Sequence, residues 1–402
     1  MIAQNGNHVP AVIESGAMKQ GTKLPSMSFL IKPASSLCNL RCKYCFYEDE
    51  SENRCQKSYG LMSTDTMDQL LKSIADCTAE GGIVSLGFQG GEPTFVGLDF
   101  FRHLIQEERK YPTLRFEHTI QTNGYALNED WARFLKENNF LVGISIDGYK
   151  ELHDLYRVNA SGDGSFDRIR ENLEILKKHE VEFNALCVVT KQCAERPHRV
   201  YRRLKDMGFG YLQFIACLDP IGMERGKEPF SLLPEDYGRF LCAVFDDWYR
   251  DWKEGHFTSV RQFDDYIHLL TGVMPSSCAA TGRCGSYLVV EADGSLYPCD
   301  FYVLDEWNLG KVPEISVLDA LNSPKALAFR NDSGRRPKEC KDCNWLPICH
   351  GGCKRDITFK GDEPENYYCS AFKFLFEYAS ERLMEVARAE FEAMRRSVGK
   401  PY

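Results

Sequence analysis

Along the first half of the chain, apolar runs of five to eight residues alternate with longer stretches whose apolar residues return every three or four positions. The runs predict strands over 28–32, 84–89, 116–122, 141–146, 183–190 and 211–218. The stretches between them predict amphipathic helices over 64–79, 99–110, 129–137, 166–179 and 197–207. Phe166, Ile169, Leu173 and Leu176, for example, share one helical face. Strands and helices alternating at this interval are parallel βα units, because a parallel neighbour needs a crossover long enough to hold a helix. Six units are too few for a closed eight-stranded barrel, and the chemistry of such a sheet belongs at the C-terminal ends of its strands.

The pattern changes further on. Residues 229–252 read as a helix rich in aromatic and acidic residues and bridge to a second region. From about 275 to the end the chain is cysteine-dense and loop-rich, with a hairpin around Asp293-Gly294 and a closing helical pattern over 371–395. The first 25 residues are polar and are expected to be a disordered tail, with Met18 and Met27 as later start positions.

Composition narrows the class. The 402 residues, 43% hydrophobic and 27% charged, can bury a sizeable core. A net charge of −9 argues against a nucleic-acid partner, and no apolar stretch is long enough to span a membrane. With no secretory or transit pattern at the N-terminus, the 17 cysteines are expected to be reduced thiols of a cytoplasmic protein, where ligation explains them better than disulfides.

Cys38, Cys42 and Cys45 follow the first predicted strand with spacing C-x3-C-x2-C and an aromatic residue, Tyr44, before the third. Three thiolates can hold a [4Fe–4S] cluster by three of its irons and leave the fourth open, whereas electron-transfer clusters use four. Zinc is the alternative, but no fourth ligand lies near in sequence. The segment Cys38-Asn39-Leu40-Arg41-Cys42-Lys43-Tyr44-Cys45 resembles the radical S-adenosylmethionine (radical SAM) enzymes, in which the open iron chelates SAM. That resemblance implies an α/β fold, a partial (β/α)6 barrel over 26–230, with 231–274 as a bridging helical segment.

Cys278, Cys284, Cys299, Cys340, Cys343, Cys349, Cys353 and Cys369 form a second set, with C-x2-C-x5-C-x3-C at its centre. Eight thiols fill two four-cysteine clusters, or a zinc site in place of one. With Gly294 and Cys299 the pattern resembles the SPASM extension of radical SAM enzymes, expected over 275–402 with the C-terminal helix. By resemblance Cys278, Cys284, Cys299 and Cys353 hold one auxiliary [4Fe–4S] cluster, and Cys340, Cys343, Cys349 and Cys369 the other. Of the remaining six, Cys187 and Cys217 sit in apolar strand contexts and read as small buried hydrophobes.

Gly90-Gly91-Glu92-Pro93 follows the second predicted strand and matches the family's GGEP turn, whose carbonyls are expected to meet the methionine ammonium. Asn123 ends the third strand, and Ser145 and Asp147 end the fourth. The resemblance assigns Ser145 and Arg157 to the SAM carboxylate, Asp147 to the ribose and Leu218 to the adenine. A guanidinium suits a planar carboxylate.

From Leu30 onward, roughly nine-tenths of the chain resembles the anaerobic sulfatase-maturating enzymes. The likeness includes Leu30-Ile31-Lys32-Pro33-Ala34-Ser35-Ser36, Phe88-Gln89-Gly90-Gly91-Glu92-Pro93-Thr94, Phe214-Ile215-Ala216-Cys217-Leu218-Asp219-Pro220 and Tyr297-Pro298-Cys299-Asp300-Phe301-Tyr302. It implies oxidation of a cysteine or serine, in a C/S-x-P-x-R segment of an unfolded sulfatase polypeptide, to Cα-formylglycine. It further implies SAM and three [4Fe–4S] clusters as cofactors and an electron donor such as ferredoxin or flavodoxin. Asp300 matches the proposed base, beside Cys299, so proton and electron would leave together; the alternative is an Asp bonded to local amides. Tyr47 and Gln89 are expected to contact the substrate.

Two other readings compete. Another SPASM maturase, forming thioether or carbon crosslinks, is disfavoured because the chain before residue 28 is too short for a separate peptide-recognition domain. An iron–sulfur carrier or redox sensor explains the four-cysteine sets but not the three-cysteine motif with its Gly-Gly-Glu-Pro turn.

Overall fold

Residues 21–285, 287–332 and 336–398 are described by a computed structural model. Most of the tail expected to be disordered, as far as residue 20, lies outside the described residues, as does 399–402 of the second region.

Six parallel strands run in chain order: β1 (Leu24–Ile31), β2 (Thr78–Phe88), β3 (Arg115–Thr122), β4 (Leu141–Ser145), β5 (Phe183–Val189) and β6 (Tyr211–Ala216). This is the open parallel sheet of a partial barrel, and each predicted strand is present. Three begin earlier than expected, β1 by four residues, β2 by six and β3 by one. β2 starts at Thr78, directly where the helix Thr64–Cys77 ends, two residues short of its expected end at 79. Pairing of Leu24 with Thr78 across a register shift draws the polar start of β2 into the sheet.

The sheet is wider than six strands. β7 (Ser259–Val260) adds to β6, while β8 (Leu288–Val290) and β9 (Leu296–Tyr297) add beyond β1, making nine in all. β8 runs parallel to β1 and turns back into β9 through the hairpin expected at Asp293-Gly294. Gly294 takes φ +92°, and a Cβ there would sit 3.0 Å from the Val312 carbonyl oxygen, so the turn needs glycine. The cysteine-rich region is thereby joined to the barrel through its first strand.

Helices cover the outer face. The helix Phe166–Lys178 buries Phe166, Ile169, Leu173 and Leu176 as its spacing predicts. It also buries Asn172, whose Nδ2 donates to the carbonyls of Gly124 (2.9 Å) and Tyr125 (3.1 Å) and ties down the loop after β3. The bridging helix Pro234–Lys253 lies against the long C-terminal helix Cys369–Val398. Gly238 permits that approach, since a Cβ would meet the Ala371 Cα at 3.2 Å. A second hairpin, β10 (Ile357–Lys360) with β11 (Glu363–Asn366), was not legible in the sequence. Among the described residues no helix is long and apolar enough to cross a membrane.

Candidate active site

The loop after β1 carries Cys38, Cys42 and Cys45, and neighbouring strand ends hold it in place. Gly91, at φ +52°, presses so close that a Cβ would lie 2.3 Å from the Leu37 carbonyl oxygen. Glu92 donates its N–H to the same carbonyl at 2.8 Å. On the other side, the Arg41 N–H reaches Val158 O (2.7 Å) and the Lys43 N–H reaches Tyr156 O (3.0 Å). The cysteine loop is thus pinned between the turn after β2 and the segment that carries Arg157.

Glu92 is the latch of this arrangement. Its Oε1 accepts from Thr94 N (3.1 Å), Thr94 Oγ1 (2.7 Å) and Thr122 Oγ1 (2.7 Å), and Oε2 accepts from Asn123 N (2.8 Å). Burial raises its pKa against those four bonds, and the carboxylate faces the protein rather than a ligand. Its contribution to a SAM site is therefore to hold the Gly90-Gly91 turn. Asn123 stands at the edge of the cysteines, with Nδ2 donating to Asn39 Oδ1 (2.7 Å) and lying 3.7 Å from Cys38 Sγ.

Asp147 departs from its expected role. Oδ2 accepts from Arg157 Nε (2.8 Å) and from the Tyr44 hydroxyl, while Oδ1 accepts from Val188 N (2.9 Å) and Arg157 Nη2 (3.3 Å). A carboxylate offers about four acceptor positions. All are taken, so none remains for a ribose hydroxyl, and Asp147 instead orients Arg157. Burial alone would raise the Asp147 pKa; the Arg157 charge and hydrogen bonds bring it below its ordinary value. Beneath it, His153 accepts the Asp147 N–H at Nδ1 (3.2 Å), and burial pushes its pKa down to about 4, so it is neutral. Ser145 and Leu218 are half-buried, at the end of β4 and two residues past β6.

The thiols fit iron–sulfur ligation. All 17 cysteines are free, although many stand close together. Burial pushes the Cys38 and Cys42 thiols up to about 12, with the charges of neighbouring thiols adding to it. Such thiols keep their protons unless a metal replaces them. Cys45 belongs to the same group. Cys299 is raised by burial, by Asp300 and by the thiols of Cys353, Cys278 and Cys284. Cys349, pushed up to about 11 by burial, lies among Cys369, Cys340 and Cys343. The chain therefore gathers three thiols, then four, then four, with Cys353 crossing over to Cys299 and Cys369 to Cys349.

Asp300 faces the barrel from the cysteine-rich side and is buried. Its Oδ1 accepts from the Tyr287 hydroxyl, and Cys299 Sγ lies 3.6 Å away. Burial raises its pKa, opposed by the Tyr287 hydrogen bond. Across from it, Tyr47 is buried with a hydroxyl that finds no protein partner among the described residues. Its ring lies 3.9 Å from that of Phe46, which packs on Phe301 at 5.1 Å. Asp300, Glu50, Cys45 and Cys299 all lie near Tyr47, so this side chain stands between the three-cysteine loop and the auxiliary thiols. Gln89 is half-buried at the end of β2, its N–H donating to Ile31 O (2.9 Å). Sequence reasoning singled out Tyr44 only as the aromatic position before Cys45, without its bond to Asp147, and missed His153, Tyr287 and a buried cluster of Lys32, Glu50, Arg54 and Glu291, which carried no local signal.

Comparison with known proteins follows the same division. Residues 33–205 match the radical SAM superfamily, and 278–344 match the iron–sulfur cluster-binding domain SPASM. The chain is 45% identical over 369 residues to the cysteine-type anaerobic sulfatase-maturating enzyme of Clostridium novyi (strain NT), covering 91% of this chain and 98% of that one. It is 30% identical over 370 residues to the serine-type anaerobic sulfatase-maturating enzyme of Bacteroides thetaiotaomicron, covering 87% and 89%. The solved structure of native anSMEcpe with bound AdoMet and Cp18Cys peptide superposes with a TM-score of 0.86 at 44% identity, over 91% of this chain and 99% of that one.

Proposed function

The chain belongs to the anaerobic sulfatase-maturating enzymes, and we propose that it converts a cysteine in a Cys-x-Pro-x-Arg segment of an unfolded sulfatase to Cα-formylglycine. It is a radical SAM oxidoreductase with SAM and three [4Fe–4S] clusters as cofactors. Cysteine is favoured over serine as the target because identity is 45% to cysteine-type and 30% to serine-type relatives.

The observation that carries the reading is the approach of Asp300 to Cys299 opposite the Tyr47 hydroxyl, which has no partner among the described residues. Cys38, Cys42 and Cys45 would hold the SAM-binding cluster. Cys278, Cys284, Cys299 and Cys353 would hold the nearer auxiliary cluster, and Cys340, Cys343, Cys349 and Cys369 the farther one. When bound, these cofactors supply a 5′-deoxyadenosyl radical that takes one Cβ hydrogen atom, and an acceptor for the electron the substrate then releases. Arg157, oriented by Asp147, and Ser145 bind the SAM carboxylate, the Gly90-Gly91 turn meets its ammonium, and Leu218 packs beside the adenine. Tyr47 and Gln89 hold the target side chain.

Asp300 takes the thiol proton at Oδ2 while Tyr287 keeps Oδ1 in place. Its pKa, raised by burial, makes the carboxylate a stronger base than an exposed one. Loss of one hydrogen atom, one proton and one electron turns the CH2–SH carbon into a thioaldehyde. Water then adds to the carbon and hydrogen sulfide leaves, giving the aldehyde. A low-potential one-electron protein such as ferredoxin or flavodoxin supplies the starting electron, and the cytoplasm, which keeps thiols reduced, is the place of work.

The test is anaerobic incubation of the reconstituted protein with SAM, a reductant and a Cys-x-Pro-x-Arg peptide, with the aldehyde trapped by a hydrazine. An aldehyde on this peptide, formed faster than on its Ser-x-Pro-x-Arg counterpart, supports the reading. SAM cleavage with neither peptide oxidised would overturn it.

A further inference from the structure

Lys32 lies one residue beyond β1 and is 1% exposed. Its ammonium is 2.8 Å from Glu291 Oε1, 3.5 Å from Glu50 Oε2 and 5.0 Å from the centre of the Tyr47 ring. Arg54 Nη1 reaches the same Glu291 oxygen at 2.7 Å, and Glu50 Oε1 accepts the Val303 N–H at 2.6 Å. The Lys32 stem passes beneath Gly90, where a Cβ would come within 2.5 Å of its Cγ. These four charged side chains are each at most 2% exposed.

A buried ion cluster is a poor source of stability, because desolvation offsets much of the attraction and apolar side chains of similar volume often do better. It is an effective way to fix geometry, since each head group accepts partners only at hydrogen-bond distance and angle. The parts joined here belong to the two halves of the site. On one side are the end of β1 that leads to Cys38, the helix Phe46–Glu52 with Tyr47, and the Gly90-Gly91 turn. On the other are Glu291 at the end of β8 and the segment from Cys299 and Asp300 to Val303. The β1–β8 ladder, which also connects them, spans three residue pairs, from Phe29↔Leu288 to Ile31↔Val290, and the Phe46 ring packs on Phe301 without fixing a polar register.

We propose that Lys32 is a positioning residue for the oxidation: bound to Glu50 and Glu291 and seated over Tyr47, it sets the SAM-side loop at a fixed distance from Asp300. Hydrogen abstraction and proton removal then act on one and the same side chain. This rests on the function proposed above. Lys32 takes no part in the chemistry itself, and its removal uncouples the two ends of the reaction.

The experiment uses the reconstituted holoenzyme with SAM, reductant and saturating Cys-x-Pro-x-Arg peptide. Aldehyde formed per 5′-deoxyadenosine released is measured beside the thermal unfolding midpoint. Lys32→Met is expected to lower that ratio roughly tenfold or more, as small misplacements at a reacting centre do. The double variant Lys32→Met/Glu50→Gln removes one charge of each sign, keeps an acceptor for Val303 and leaves the Arg54–Glu291 pair intact. It is expected to recover the midpoint but not the ratio, which a merely stabilising role would not produce. An unchanged ratio in Lys32→Met, or a ratio restored together with the midpoint in the double variant, would overturn the proposal. Absence of aldehyde from the unaltered enzyme would instead count against the proposed function.

Discussion

Asp147 holds Arg157 through both carboxylate oxygens, at 2.8 Å to Nε and 3.3 Å to Nη2, with both side chains buried. The pair turns a guanidinium that would otherwise be a mobile surface charge into a fixed one. Tyr44, placed between two of the three loop cysteines, donates to the same carboxylate and sits 5.3 Å from the guanidinium carbon. The cysteine loop and the proposed SAM carboxylate contact are thereby one unit.

Breaking that unit has a definite signature. Asp147→Asn leaves a buried guanidinium without its counter-charge, which costs about 3–5 kcal/mol. Urea unfolding of the variant is expected to show that loss. Titration calorimetry is expected to show weaker SAM binding, with peptide affinity little changed.

Gly91 is constrained twice, by φ +52° and by the Leu37 carbonyl 2.3 Å from where a Cβ would stand. Gly91→Ala must therefore push the cysteine loop away from the turn after β2. Iron incorporated at Cys38, Cys42 and Cys45 should fall, and stability should drop by about 1–3 kcal/mol. Iron analysis and thermal unfolding check both.

The three thiol groups make separable predictions. Cys38→Ala is expected to lose about a third of the bound iron and all SAM cleavage. Asp300→Asn is expected to keep its iron and cleave SAM, yet to form aldehyde roughly 10²- to 10⁴-fold more slowly. Chromatographic assay of 5′-deoxyadenosine beside the aldehyde distinguishes the two variants.

Glu50 sets a pH dependence of stability. Burial raises its pKa from 4.5 to about 7, with the Lys32 charge opposing. A carboxyl whose folded pKa lies above its unfolded one favours the folded state while protonated. That contribution is complete below the unfolded value and lost as pH rises through about 7. Glu291 has the opposite sign: burial would raise it, but Lys32 and Arg54 hold it at about 2, so its contribution is lost only as pH falls toward that value. Between roughly pH 5 and 7 the unfolding free energy should therefore decline by up to about 1.4 kcal/mol per pH unit on account of Glu50. Glu50→Gln should flatten that slope in urea titrations at a series of pH values.

Strand and helix positions were readable because alternation and 3.6-residue periodicity are local: the helix Glu129–Glu137 has the predicted bounds, and Phe166–Lys178 buries the four predicted residues. The start of β2 was not, because long-range pairing with β1 overrode a Gly-Gly sequence that locally favours a turn. The cysteine spacings exposed the chemistry, but no spacing rule places Cys353 beside Cys299 across the intervening Cys340, Cys343 and Cys349. Asp147 looked like a free rim carboxylate because the three residues that supply its four hydrogen bonds, Tyr44, Arg157 and Val188, come from three separate segments. Lys32 and Glu291 stand 259 positions apart, and only the addition of β8 to β1 brings them together.

The most direct measurement uses a Cys-x-Pro-x-Arg peptide carrying deuterium at both Cβ positions of the cysteine. After one turnover under anaerobic conditions, mass spectrometry reads the label in 5′-deoxyadenosine and in the trapped aldehyde. The expected result is one deuterium in 5′-deoxyadenosine for each aldehyde formed, with the other retained on the aldehyde carbon. Unlabelled 5′-deoxyadenosine, or a labelled one accompanied by a crosslinked peptide instead of an aldehyde, would contradict formylglycine formation by Cβ hydrogen abstraction.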